Sequence, residues 1–201
     1  MDELEIILRS KAGDLEAFED LYKLYSPQAL RTVYLMTYNK ELSEDIVQEA
    51  FVECFNNLKN IKNPRAFKSW LYKILKRICW RYSNKEKKLI PMENIFDKYQ
   101  DNRSQKNLSE SIEQSETRMF MLELLNKLSL PLKTTMILYY YNEMSVSEIA
   151  KVLGCFEGTV KSRLHKARKQ IEREILKTNE QFYVQEVLGK GWIKNEKPET
   201  I

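Results

Sequence analysis

The stretch from Met144 to Ile171 carries the side chains with the clearest chemistry. Within it Lys161, Ser162, His165, Lys166 and Lys169 share one face of a predicted helix. The opposite face is the apolar stripe Val160, Leu164, Ala167 and Ile171, spaced four, three and four. Small, polar and cationic groups turned outward can hydrogen-bond base edges and pair with phosphates, which is what a DNA major groove accepts. Such a helix needs a prop. The preceding Val146–Leu153 segment supplies one, burying Ile149, Ala150 and Leu153. Ser145 or Ser147 is its N-cap, and Glu148 adds first-turn negative charge. Gly154 is a natural left-handed C-cap that reverses the chain. The same residues would also suit an amphipathic hairpin with a solvated basic face. The glycine turn of the right length and the small Ala150 at the crossing favour a helix-turn-helix that binds DNA.

A second concentration of chemistry lies upstream. Between Lys62 and Lys88 there are ten Lys or Arg and one acid, Glu86. Asn63-Pro64 ends a loop, and a long helix is predicted from about Arg65 to Tyr82. Phe67, Trp70, Leu71, Ile74, Leu75, Ile78 and Tyr82 fall on its buried arc, with Ser69, Lys73, Lys76, Arg77 and Trp80 opposite. A tryptophan ringed by cations has two readings. It packs against a neighbouring element, or it is a stacking platform beside a phosphate track, the arrangement that holds single strands.

The charge reverses sign just before this helix. From Lys11 to Asn60 there are nine acids against five Lys or Arg. Ser43 is the expected N-cap of a helix from Glu44 to about Leu58, with Glu44 and Asp45 in its first turn. Its expected core residues are Ile46, Val47, Ala50, Phe51, Cys54 and Phe55. Earlier still, Leu4, Ile7 and Leu8 open a helix that pauses at Gly13-Asp14. Phe18, Leu21, Tyr22 and Tyr25 resume the pattern, and Pro27 marks a break or a fresh first turn.

These elements make the chain all-α, with two small helical domains, an N-terminal bundle and a C-terminal helix-turn-helix domain. Periodicity lapses from about Ser83 to Ser115, a polar stretch read as a flexible linker, and resumes with Met119, Leu122, Leu125 and Leu128. The expected divisions are 1–83, a linker at 84–116, a second domain at 117–177, and an extension at 178–201. That extension carries Phe182, Tyr183, Val187, Leu188, Trp192 and Ile193 and reads either as a packed tail or as a partner-binding segment.

Composition narrows the function classes. A net charge of +4 over 201 residues is mild, so affinity for nucleic acid must come from local patches. Three cysteines without metal-type spacing and a single histidine assemble no metal site. With no phosphate loop and no cysteine paired with a base, no catalytic residue and no cofactor is expected. The first residues, MDELEIILRSK, lack the apolar core of a secretory leader, and no run approaches membrane-spanning length. A cytoplasmic protein without membrane insertion is expected.

Three separated stretches resemble the extracytoplasmic-function group of alternative sigma factors of bacterial RNA polymerase. Gly13-Asp14 with Ala17-Phe18, Leu21 and Tyr22 is similar to the start of that family's first domain. Ser43 to Phe51, reading SEDIVQEAF, resembles its polymerase-binding helix, and Phe67 with Trp70 to Ile74 its promoter-melting helix. Leu128 to Ile171, with Glu148-Ile149-Ala150 and Gly158 to Arg163, resembles its second domain. Each motif alone is weak; all of them in the family's order are specific.

The resemblance implies roles residue by residue. Asp45, Gln48, Glu49 and Phe51 match the patch that docks on the largest subunit of core RNA polymerase. Lys62, Asn63, Arg65, Lys68, Ser69 and Lys73 match the loop and helix that capture the melted −10 strand; Arg77 and Trp80, on the exposed arc of the same helix, join that candidate set on the reading of the residues above. Thr159, Lys161, Ser162, His165, Lys166 and Lys169 match the helix that meets the −35 element of promoter DNA. Arg163 and Arg168 lie nearer the buried side and are expected in phosphate or intramolecular roles. An anti-sigma protein is a further implied partner. The chain departs from the family where the melting helix usually has an Asn and, four positions on, an Asp; here stand Arg77 and Arg81. The rival reading, a one-component helix-turn-helix regulator, leaves the acidic Asp45 helix and the basic Trp80 helix without a purpose.

Overall fold

In the computed structural model, which describes residues 2–86 and 119–177, the apolar periodicity resolves into eight α-helices with no strand among the described residues. The expected linker from Lys87 onward and the extension at 178–201 lie outside the described residues.

The first four helices form one unit. Helix α1, Glu3–Lys11, is pinned at both ends: the Tyr25 hydroxyl donates to the Glu3 carboxylate, and Lys11 Nζ donates to the Ile61 carbonyl at 2.9 Å. Helix α2, Leu15–Thr37, starts on an Asp14 cap that accepts from the Ala17 N–H at 3.1 Å. It runs through Pro27 without ending, although a proline there removes one ladder hydrogen bond. Leu21, Tyr25, Ala29, Thr32 and Val33 are buried on either side of the proline, so tertiary packing holds the helix continuous where local propensity favoured a break. Helix α3, Lys40–Asn57, begins one turn earlier than expected. Asn39, not Ser43, caps it by accepting from the Leu42 N–H at 3.0 Å, and Ser43 is buried inside, bonded back to the Asn39 carbonyl and the Thr37 hydroxyl. Asn63 then caps a 3₁₀ turn, Pro64–Ala66, that leads into helix α4, Phe67–Glu86.

The second unit has helix α5 at 119–126 and helix α6, Leu130–Met136, which passes into a π turn at Ile137–Tyr141. Helix α7 is Val146–Leu153 and helix α8 is Glu157–Lys177. The helix-turn-helix stands as its sequence signals specify. Ser145 caps α7 in a reciprocal box with Glu148, and Gly154 ends it in the left-handed region at φ 67° and ψ 44°.

The two units share one apolar core, and α4 is the layer between them. This widens its buried face beyond a single arc: Tyr72 and Cys79 are buried along with Phe67, Leu71, Ile74, Leu75 and Ile78. Polar groups cross the same junction. The Asn142 amide donates to the Thr32 hydroxyl at 2.9 Å and the Tyr72 hydroxyl at 2.8 Å. Lys133, 8% exposed, reaches the Met36 carbonyl at 3.5 Å and Asn126 Oδ1 at 2.7 Å.

Burial holds the Lys133 ammonium below the usual lysine pKa, with the nearby Cys79 opposing weakly. The charged form is therefore disfavoured in the folded state. Its cost is present below the folded-state pKa and disappears as pH rises toward the unfolded-state value of about 10.4. Urea denaturation of the wild type should therefore show stability rising with pH, relative to Lys133→Met, in the alkaline window below that value. Parallel pH profiles for the two proteins would place the ammonium in water rather than at the junction.

Candidate nucleic-acid interface

The recognition face of α8 is built by its buried side. Val160, Leu164, Ala167, Ile171 and Ile175 seat the helix, and this turns Lys161, Ser162, His165, Lys166 and Lys169 to solvent, with Thr159 half-buried. Five of the six expected residues thus share an open, cationic surface. Arg168 is withdrawn from it: its Nε donates to the Tyr140 hydroxyl at 2.8 Å and its guanidinium lies over the Tyr139 and Tyr140 rings. Arg163 leans inward to Cys155 Sγ at 3.9 Å.

The upstream face is different, because its cations have partners inside the chain. Lys68 Nζ donates to the Asn142 carbonyl at 3.1 Å, and Lys76 Nζ to the Leu153 carbonyl at 3.4 Å. Leu153 closes α7, so Lys76 sits where a helix C-terminus favours positive charge. Burial and then the neighbouring Lys73 hold the Lys76 ammonium below its ordinary pKa. The Trp80 indole donates to the Thr134 hydroxyl at 3.4 Å, with Lys76 over its ring at 4.9 Å. Trp80 therefore packs against the second unit in this conformation. Arg77 pairs with Glu53, and Arg81 takes both oxygens of Glu49 at 2.6 and 2.5 Å. Lys62, Arg65 and Lys73 remain exposed, Ser69 is half-buried, and the Asn63 side chain is engaged as a cap.

On α3, Asp45 and Gln48 are exposed, while Glu49 is half-buried in its pair with Arg81. Phe51 does not share that surface. It is 4% exposed and meets Tyr22 edge to face at 4.8 Å, so it shapes the patch from beneath. Phe55, expected in the core, is 49% exposed and rests edge-on against Phe18 at 5.0 Å. Val52 is exposed beside it. The acidic residues thus continue into an apolar surface one and two turns further along the same stripe (Asp45, Gln48, Val52, Phe55). The seven-residue step from Gln48 to Phe55 was the signal available in the sequence.

Comparison with known proteins decides what this arrangement is. The profile for sigma-70 region 2 matches residues 21–89, and that for sigma-70 region 4 matches residues 121–171. The chain belongs to the sigma-70 family. Region 2 covers α2 to α4 and region 4 covers the helix-turn-helix unit. The ECF RNA polymerase sigma factor SigW of Bacillus subtilis is 29% identical over 176 residues, covering 84% of this chain and 94% of the relative. The ECF RNA polymerase sigma-E factor of Haemophilus influenzae is 26% identical over 177 residues, covering 85% and 93%. Two solved structures share the fold. CnrH in complex with the cytosolic domain of CnrY has a TM-score of 0.66 at 18% identity, covering 88% of this chain and 99% of that one. The sigma factor RpoE of Bartonella quintana, in complex with the anti-sigma factor NepR, has a TM-score of 0.64 at 20% identity, covering 82% and 99%. No described helix is long and apolar enough to cross a membrane.

The contact between Trp80 and region 4 has a measurable consequence. Trp80→Ala removes the whole indole of a partly buried side chain, a cost on the order of 1–2 kcal/mol, and should lower Tm by roughly 2–8 °C. Lys73→Gln, on the same helix but exposed, should leave Tm nearly unchanged. Equal melting of the wild type and Trp80→Ala in calorimetry would show that the indole contributes nothing to the junction.

Proposed function

We propose that this chain is a sigma factor of the extracytoplasmic-function group, which binds core RNA polymerase and directs it to promoters carrying a −35 and a −10 element. The observation that supports it best is the pairing of regions 2 and 4 in one chain, each offering a different surface. The polymerase docks on Asp45, Gln48 and Glu49, extended by Val52 and Phe55. The melted −10 strand lies along Lys62, Arg65, Lys68, Ser69, Lys73 and Trp80, with Asn63 shaping the loop. The −35 duplex lies against Thr159, Lys161, Ser162, His165, Lys166 and Lys169. On this reading residues 1–83 form the polymerase and −10 unit, 84–116 the linker, and 117–177 the −35 unit. The protein works in the cytoplasm, where the polymerase is, and is held in check by an anti-sigma protein, as the Bartonella relative is bound by one.

Lys68, Lys76 and Trp80 contact region 4 in this conformation, so the strand reaches them only after region 4 has moved aside. Arg77 and Arg81 pair with Glu53 and Glu49 in this conformation, so on this reading those exposed pairs open before either guanidinium meets the strand. A one-component regulator would need the helix-turn-helix but would have no use for an exposed acidic and apolar stripe on α3. Transcription in vitro with core polymerase and a randomised promoter library separates the two readings.

Two outcomes are expected. Asp45→Lys should weaken the complex with core polymerase by tenfold or more, about 1.4 kcal/mol for each factor of ten, and a titration showing unchanged affinity would remove α3 from the interface. Replacing Ser162 or His165 with Ala should relax the preference at one position of the −35 element, at a cost of about 1–3 kcal/mol. Lys169→Gln should instead weaken all sequences alike and flatten the salt dependence. Retention of the full −35 preference by both Ser162 and His165 variants would mean that another surface reads the duplex.

A further inference from the structure

The residue that opens the recognition helix is an unusual choice. The carbonyl of Phe156 accepts from the Thr159 and Val160 N–H groups at 2.9 and 3.2 Å, which makes Phe156 the N-cap of α8. That position favours Ser, Thr, Asp or Asn, whose side-chain oxygen satisfies a further first-turn N–H, and a phenyl ring cannot do this. The ring is also not buried in compensation. It is 87% exposed, the most exposed of the large apolar side chains described, although it borders an open hollow floored by Ala150, Gly154 and Cys155. An exposed apolar residue is ordinary on a protein surface. One that displaces a capping side chain at the leading end of a recognition helix is placed for contact.

Two neighbours indicate what that contact is. Gly158, two residues on, has space around it: an added Cβ would meet nothing within 4 Å, so the packing of this chain does not require a glycine there. What a missing side chain offers at an exposed helix start is close approach by another molecule. Around this gap stand Lys161, His165 and Lys166, exposed and cationic or polar, which suits an anionic duplex. The N-terminal residues of a recognition helix are those that reach base edges. In an intact duplex the base faces are stacked and closed to an aromatic ring, and phosphates offer it nothing. The one apolar group on the major-groove edge is the 5-methyl of thymine.

We propose that Phe156 is a specificity-determining residue of the −35 interface, packing its ring against a thymine methyl. This rests on the assignment of α8 to the −35 element and adds a residue that the capping pattern alone would exclude. Because the ring is exposed even while region 4 covers the upstream face, the contact needs no rearrangement of the helix-turn-helix.

The test uses the full chain with core polymerase on a promoter selected from a randomised library. Each −35 thymine is replaced in turn by uracil, which deletes only the methyl. For the wild type, one replacement should lower promoter affinity by about three- to fivefold, the effect of one buried methyl. Phe156→Ser should lose that sensitivity and, having gained a capping oxygen, melt at a higher temperature than the wild type. Phe156→Leu should keep part of the sensitivity. The inference is overturned if no thymine is sensitive to methyl loss, or if Phe156→Ser keeps the wild-type sensitivity. A lower Tm for Phe156→Ser would make the ring a packing residue. A loss of affinity for core polymerase in the absence of DNA, with equal dependence on the methyl, would make it a polymerase contact; both results also overturn the proposal. Ser162→Ala and His165→Ala, measured on the same promoters, keep the two questions apart. If those variants alter the −35 preference while Phe156→Ser does not, only this inference fails; if none does, the assignment of α8 fails with it.

Discussion

One buried amide holds the two halves of this protein in register. Asn142 is 1% exposed and spans the junction: its side-chain Nδ2 donates to Thr32 of α2 and Tyr72 of α4, while its backbone carbonyl accepts from Lys68. It stands at the end of the π turn, where its own N–H bonds to the Ile137 carbonyl at 3.1 Å, five residues back. Glu143 follows in the left-handed region at φ 53°, a conformation that costs a non-glycine residue roughly 1–2 kcal/mol. The strained residue and the wide turn stand beside an amide that donates both of its N–H groups across the junction, to Thr32 and Tyr72; leaving such a donor unsatisfied would cost about 1–3 kcal/mol. From that point the direction of α7 is set, and with it the seat of α8.

The junction makes the two DNA-facing surfaces unequal. On α8 the apolar stripe is fully used by region 4 itself, so its polar face is left to solvent. On α4 both faces are used, one by α2 and α3 and the other by region 4. Lys68 and Lys76 serve carbonyl groups of the second unit in the way that they would serve phosphates. A cation satisfied by a neutral carbonyl is available to a phosphate, since attraction to a full negative charge exceeds that to a carbonyl dipole. The same chemistry that closes the molecule is therefore the chemistry by which DNA would open it.

Charge on the other side of α4 is settled within region 2. The acidic stripe of α3 runs antiparallel to the basic stripe of α4, which aligns Glu53 with Arg77 and Glu49 with Arg81. These pairs are solvent-accessible, and such pairs contribute about 0–1 kcal/mol to stability. Their effect is on direction: each guanidinium is turned toward the carboxylates of α3. A net count of cations along α4 thus overstates the positive surface that a nucleic acid would meet.

The sequence by itself determined whatever depends on near neighbours in the chain. The caps at Ser145 and Gly154, the stripe from Val160 to Ile171 and the outward set from Lys161 to Lys169 were all legible, because a helix end and a helix face are defined within a few residues. The same reasoning failed where two signals competed locally. Ser43 and Asn39 both suit a cap, and burial of Ser43 decided for Asn39; Pro27 reads as a break until packing on both sides holds the helix together. What only the tertiary structure decided is which surfaces meet across long separations. Tyr72 and Cys79 are buried, Trp80 meets Thr134 of the second unit, and Phe55, expected in the core, is left exposed with only its edge against Phe18. Periodicity assigns a residue to a face of its helix, but it carries no information on how many faces will find a neighbour, and here α4 found one on each side.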